Sequence, residues 1–587
     1  MEKWNLSYLV KSEEEFRERL ADANTYIEKL ASYQGKLSSQ KNFAEFQNLS
    51  LEFTKKFYPL YQFASLRSDL NKKNVENARA LSEVSIIMHK LSAALSFVDP
   101  EILSIGEDTI MAFIDADKSL EQFRFEYQKL FRQNEHILDA ESEKLLSHFQ
   151  HVRNQGSKLY SALAVADGVS HKIDLSYAKD VAVNQSNYRG LIADSQNALD
   201  RQKIFEAIFN DFEANKHTFA TIYENVLQNN KAFAKARNYP TILDSYLFRN
   251  NIPTSVYYNL VKVAQTENEM LKKYYRIKKE YLGLEKYHSY DRFIEFAKSD
   301  KKYSYPEAKE LFFASLSNFP QEFQDKAHEA LALGFVDVEP QDGKRTGAYS
   351  SSMPDTHPFI LLNYTNTLDD VFTVAHEAGH SMHSMFAQDA QPTNEQDYTI
   401  FVAEIASTFN EHILLDYLMQ SPSVDKNEKI GLLQKAIDNI ASTFYRQALF
   451  ANYELEAHKL VENDQPINYQ VLSNIMIDLY QKYYDIDIRE EKVKEYVWAY
   501  IPHLFYTPFY VYQYATSFAA SFKIYKDVKE KVPNAFDKYL GLLKSGGSKY
   551  PVDQAKEAGV DFTTLDPFLA VVERLEYLVN ELEKLLK

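Results

Sequence analysis

The chain has 587 residues, 45% hydrophobic and 25% charged, a balance that suits an ordinary folded protein with room for more than one hydrophobic core. Its 66 basic and 83 acidic residues leave a formal net charge of -17, which argues against a general nucleic-acid surface. It has no cysteine, so no disulfide braces the fold and any metal must be held by nitrogen and oxygen atoms.

The absence of cysteine suits a reducing compartment. The opening residues Met1 to Ser7 lead directly into Lys11-Ser12-Glu13-Glu14-Glu15, with no apolar signal core. No stretch of about 18 uncharged apolar residues stands out as a bilayer span. The expectation is a soluble cytoplasmic protein with neither nucleic acid nor membrane as partner. Ser12 with Glu15 resembles a capping box opening a helix through Phe16 and Leu20. Residues 40–93 and 100–155 read as long amphipathic helices; in the second, Leu120, Phe123, Tyr127 and Leu130 recur at intervals of three and four. No strict heptad persists, so solvated faces of globular helices explain the intervening charges better than a coiled coil does.

Between 165 and 192 the chain turns polar, with Gly168, Asn184, Asn187 and Gly190. A boundary there divides it into residues 1–185, an N-terminal helical lobe, and 186–587. Helical patterning resumes over 196–238 and 253–283, punctuated by Pro240 and Asn250-Asn251-Ile252-Pro253. The pattern changes over 332–366, where Gly334, Pro340, Gly343, Gly347, Pro354 and Pro358 break helices and Phe359–Tyr364 reads as a short strand. That strand is either an edge able to pair with an extended peptide or an internal strand of a small sheet. A helix follows over 367–388, with Thr367 as N-cap and Asp369 and Asp370 in its first turn. A second spans about 398–418. The remainder is mostly helical, interrupted near Asn463–Pro466, Pro502–Pro508, Gly546-Gly547 and Gly559.

The first of these two helices carries His376-Glu377-Ala378-Gly379-His380. Histidines four apart share one helix face and can bind one zinc ion, while Glu377, rotated about 100° away, can act as general base on water. Gly379 is costly inside a helix and hints at crowding. A catalytic zinc site needs a third protein ligand and an open position. Glu404 is the best third ligand, because a turn at 391–396 lets the next helix return across the first. His383 is an alternative by residue type, but a supporting or packing role suits it better. Glu411, seven residues beyond Glu404, either accepts a hydrogen bond from a liganding histidine or is an ordinary solvated acid. The segment His503–Tyr514 offers one histidine and four tyrosines that can stabilise an oxyanion or simply pack.

Residues His376–His380 with Glu404-Ile405-Ala406-Ser407 resemble the M3 family of zinc oligopeptidases. Asp370–His376, Gly343–Tyr349, Pro358–Tyr364, His503–Tyr514, Leu543–Gly547 and Ala558–Asp561 resemble its oligoendopeptidase F branch. The resemblance implies a mainly α, two-lobed zincin with a deep substrate channel and a small β-sheet near the metal, its N-terminal helices covering the channel. It implies one Zn2+ held by His376, His380 and Glu404, with Glu377 as base. His503, Tyr506 and Tyr512 would approach the substrate, and short peptides would be cut at internal bonds. Two other readings stay open: a zinc carboxypeptidase or peptidyl-dipeptidase, and a catalytically inactive helical peptide-binding protein.

Overall fold

Helices dominate the computed structural model, which describes residues 2–297 and 301–587. Its strands form one two-stranded and one three-stranded sheet among the described residues. The chain divides into two compact units, one of residues 2–135, 301–418 and 527–559, the other of residues 136–297, 419–526 and 560–587. This is not the contiguous division at 185. The polar stretch there forms a small antiparallel hairpin, His171–Ile173 with Val181–Val183, inside the second unit.

The first helix, Glu13–Ala31, is capped as expected by Ser12, whose side chain accepts from the Glu15 N–H. The reciprocal half of the box slips by one residue: Glu15 Oε2 accepts from the Lys11 N–H at 2.8 Å. The long pattern over 40–93 is two helices, Gln40–Leu70 and Val75–Ala94, because Asn74 caps the second through the N–H groups of Glu76 and Asn77. The pattern over 100–155 is a series of shorter helices. Gly106, at φ 92°, ends Val98–Ile105, and the Asp117 and Asp139 side chains start new turns by accepting from backbone N–H groups. Apolar periodicity survives these breaks, since Leu120, Phe123 and Tyr127 are all buried. By length and composition alone, Val75–Ile105 is long and apolar enough to cross a bilayer. Ala80, Val84 and Ile87 of that run pack into the core of the N-terminal helices.

That core continues into the three-stranded sheet: Phe359 and Leu361 belong to it, and Trp4 Nε1 donates to the Ile360 carbonyl at 2.8 Å. Phe359–Leu361 is the central strand. It pairs in parallel with Val336–Asp337 and antiparallel with Tyr349–Ser351, with Ile360 opposite both Val336 and Ser350. Of the two readings of this strand, the internal one is correct, and the edges are Val336–Asp337 and Tyr349–Ser351. The breaker-rich loop between the outer strands is pinned to the end of helix Gln40–Leu70. Arg345 N–H donates to the Asp69 carbonyl at 2.8 Å, and Tyr349 Oη donates to the Asp69 carboxylate at 2.7 Å. Gly343 sits at φ 79°, and a Cβ there would lie 2.7 Å from Asn71 Oδ1.

Inside the loop, the ammonium of Lys344 is buried. It donates to Asp337 Oδ1 and to the Glu339 carbonyl, both at 2.6 Å. Replacing Lys344 by Ala strands the Asp337 carboxylate without its cation, an imbalance worth about 3–5 kcal/mol. A K344A protein should show a thermal midpoint clearly below wild type, and the K344A/D337A double variant should recover part of the loss.

Candidate metal centre

Helix Leu368–Ala390 starts as its sequence dictates. Thr367 accepts from the Asp370 N–H, and Asp370 returns the bond to the Thr367 backbone, a complete capping box. Pro392 and the turn Thr393–Glu395 follow, and helix Ile400–Gln420 runs back across the first. The two helices approach closest at Gly379. A Cβ there would lie 2.6 Å from both the Ala406 carbonyl oxygen and the Ser407 Cα, so glycine is the residue that lets the backbones touch. Asn410 Nδ2 donates to the Ala375 carbonyl at 3.2 Å and tightens the same crossing.

The crossing gathers His376, His380 and Glu404. The His376 and His380 Nε2 atoms are 3.2 Å apart, and Glu404 Oε2 is 3.4 Å from the first and 3.5 Å from the second. Tetrahedral zinc with bonds of about 2.0–2.1 Å requires donor separations of about 3.3–3.4 Å. Glu411 Oε1 lies 2.6 Å from His376 Nδ1. A carboxylate can only accept, so Nδ1 carries the proton and the Nε2 lone pair faces His380 and Glu404. Ser407 Oγ donates to Glu404 Oε2 at 3.0 Å and holds that carboxylate in place. Two acceptor nitrogens and a carboxylate turned on one point need a cation or a proton between them, and the residues fit a metal ion. Without one, burial would lower His376, yet Glu404 and Glu411 hold it well above the usual imidazole range. Burial likewise opposes ionisation of Glu404, and the two histidines overcome it and lower its carboxyl strongly.

Glu377 is 6% exposed. Its Oε2 is buried and has no hydrogen-bond partner. Burial pushes its carboxyl up, against the pull of His376 and His380. Ser350 belongs to the edge strand Tyr349–Ser351, and its hydroxyl lies 2.8 Å from Ser381 Oγ, so the strand is fixed directly over the metal helix. His383 is buried and stacks on Tyr398 at 3.7 Å. Burial lowers its imidazole to about 3, the state of a packed neutral ring.

The residues predicted from the C-terminal segment lie in the second unit. His503 opens the short helix His503–Tyr506 and has Tyr510 and Tyr514 as ring neighbours at 5.9 and 6.2 Å. Tyr506 is 40% exposed and meets Tyr160 edge-on. Tyr512 is 2% exposed and packs on Tyr257 at 5.0 Å, which places its phenol in the core. The segment is held by a residue that the sequence reading did not single out. Buried Glu454 accepts from the N–H of Phe509, a non-glycine residue at φ 54°, at 2.7 Å. Burial pushes Glu454 up to about 8. Ser350 and Ser407 also escaped the reading. Ser350 lies in a three-residue strand without apolar alternation, whereas Ser407, three residues beyond Glu404 on one helix, was recognisable by spacing.

The family model described as peptidase family M3 matches residues 191–574, and one described as oligopeptidase F matches residues 101–168. Oligopeptidase PepF of Bacillus subtilis is 30% identical over 585 residues, covering 99% of this chain and 87% of its own. A crystal structure from Chlamydophila abortus superposes with a TM-score of 0.90 at 31% identity, covering 99% of this chain and 98% of the other. Oligoendopeptidase-F of Enterococcus faecium superposes with a TM-score of 0.75 at 28% identity, covering 97% and 99%.

Gly379→Ala must push the helices apart, at a cost of about 1–3 kcal/mol, and the purified variant should carry well under one metal ion per chain by elemental analysis. Glu454 has a folded-state value above its unfolded one, so its contribution to stability is complete at low pH and is lost as pH rises towards about 8. The thermal midpoint of wild type relative to E454Q should therefore fall between pH 5 and 8 and level off above.

Proposed function

Because the chain belongs to peptidase family M3, we propose that its His376–His380–Glu404 centre carries one zinc ion, with Glu377 as the catalytic base. The chain is a metalloendopeptidase of the oligoendopeptidase type, cutting internal bonds of peptides. The observation that carries the assignment is the triangle of donor atoms, 3.2–3.5 Å on a side, next in sequence to a buried carboxylate with one oxygen unpartnered. The absence of cysteine leaves imidazole and carboxylate as donors, a set that suits zinc.

Bound zinc supplies Lewis acidity towards the scissile carbonyl and lowers the pKa of water. The protein's own groups do the rest. Glu377 takes the proton of the attacking water on its carboxylate, whose burial raises its affinity for a proton. The same carboxyl returns the proton to the leaving nitrogen. No covalent bond to the protein forms. The outer edge of Tyr349–Ser351, whose inner edge is taken by Phe359–Leu361, offers backbone groups to an extended peptide. A strand running over the metal helix would present its carbonyl to the centre and leave both peptide ends unclaimed, as internal cleavage requires. From the C-terminal segment, His503 and Tyr506 remain the proposed donors to the oxyanion. Tyr512, sealed in the core, is not among them.

Glu377→Gln should keep the metal and the thermal midpoint but lose turnover by about 10²–10⁴-fold or more. Quenched peptides blocked at both ends should be cut by wild type, and a chelator should abolish the cleavage. Full activity in E377Q would remove the base assignment, and failure to cut doubly blocked peptides would favour an exopeptidase.

A further inference from the structure

The second unit contains a second concentration of charge, unrelated to the metal ligands. Arg292 lies in the turn Asp291–Phe293, Arg446 starts helix Arg446–Glu462, and Lys494 starts the turn Lys494–Tyr500. All three act electrostatically on one phenol, that of Tyr480, from helix Tyr469–Tyr484. Arg446 Nη1 donates to Tyr480 Oη at 3.4 Å, and the Lys494 ammonium is 5.1 Å from the Tyr480 ring centre. Lys494 is 4% exposed and Tyr480 2%, while Arg292 and Arg446 are half-buried. A lysine is rarely found at the depth of Lys494 unless paired.

These three are not paired. Among the described residues, no carboxylate oxygen comes within 4.0 Å of Arg292, Arg446 or Lys494. The acids nearby are committed elsewhere. Asp291 accepts from Arg201 Nε and from the His288 N–H, both at 2.8 Å. Asp438 accepts from Tyr274 Oη at 2.8 Å and lies 4.0 Å from the Lys278 ammonium. Glu491 accepts from both the N–H and the hydroxyl of Ser289. The cations feel one another: burial and then Arg446 lower Arg292, and burial lowers Lys494 with help from both guanidinium groups. Burial alone would raise Tyr480, yet Lys494, Arg446 and Arg292 bring it down to about 8.

The backbone is shaped to maintain this arrangement. Arg446 directly follows a π-helical segment, Ile440–Tyr445, a wide turn that is rare and frequent at functional sites. Lys494 directly follows Val493, a buried β-branched residue at φ 61°, a conformation that costs energy and persists only where its surroundings enforce it. The rings of Tyr484, Tyr275 and Tyr287 continue from Tyr480 in contact, at 5.2, 6.0 and 5.0 Å along the series. At its end, the buried Tyr287 hydroxyl has no hydrogen-bond partner.

We propose that Arg292, Arg446 and Lys494, with the hydroxyl of Tyr480 among them, form an internal binding site for one small inorganic anion. Three donors of positive charge converge without a protein carboxylate, and a halide or a compact oxyanion supplies the missing charge where a side chain does not. Bound there, the anion ties together the turn at 291–293, the helix at 446 and the turn at 494, all within one unit. The inference is independent of the metal centre.

The test uses the full-length, metal-loaded protein. Its thermal midpoint is measured in sodium bromide and in sodium sulfate against sodium gluconate at matched ionic strength, and bromide is located by anomalous diffraction from crystals. The expected result is a saturable rise of ~3 °C or more in at least one of the two salts, absent from R446M and K494M. Bromide alone identifies a halide site and sulfate alone an oxyanion site. An anomalous peak among the three cations supports the site without any variant. Equal midpoints in all three salts would overturn it, as would a shift that both variants keep. A Tyr480 phenolate titrating near pH 8 identically in every salt would also overturn it, since the phenolate would then neutralise the cluster unaided.

Discussion

Everything at the metal centre depends on one backbone contact. Helices Leu368–Ala390 and Ile400–Gln420 touch where Gly379 meets Ala406 and Ser407, at a distance no side chain could occupy. Glu404 lies two residues before that contact, and His376 and His380 flank it. A wider crossing would withdraw the carboxylate from the imidazoles, and a side-chain ligand cannot recover a lost ångström without leaving its rotamer. The conformational cost of glycine inside a helix is thus offset by the geometry it permits.

Around this contact the structure supplies the polar partners that a buried charged site requires. Glu411 sets the His376 tautomer, Ser407 steadies Glu404, and Asn410 closes the helix crossing. The edge strand lies against the same helix, its Ser350 hydroxyl 2.8 Å from Ser381 Oγ. The strand's own position is determined twice, by pairing with Phe359–Leu361 and by the anchoring of the preceding loop on Asp69.

The second unit solves a different electrostatic problem. Its carboxylates are consumed in local bonds to Arg201, Tyr274 and Ser289, which leaves cations in a region otherwise filled by aromatic rings. Tyrosine is the common element: its ring accepts a cation on its face and its hydroxyl offers a polar end. The high tyrosine content, 41 residues, is in part a means of burying charge. Glu454 shows the complementary case, a carboxyl whose burial favours the neutral form while it still accepts the Phe509 N–H.

The amino-acid sequence by itself determined the metal helix to within a few residues, its capping by Thr367 and Asp370, the pairing of His376 with His380, and the helical character of most of the chain. These are local properties: capping and i, i+4 spacing operate within one or two turns and can be read without knowing what packs where. Glu404 was legible as a candidate third ligand because a turn and a returning helix could be inferred. Only the tertiary structure decided the remainder. The breaks at Asn74, Gly106 and Asp117 were hidden because apolar periodicity continues across them. The boundary at 185 gave way to interleaved units because the core joins Phe359 and Leu361 to the N-terminal helices. The edge strand, the burial of Tyr512, the role of Glu454 and the cluster around Tyr480 all arise from residues distant in the chain, and nothing in a linear spacing encodes which side chains meet across such distances.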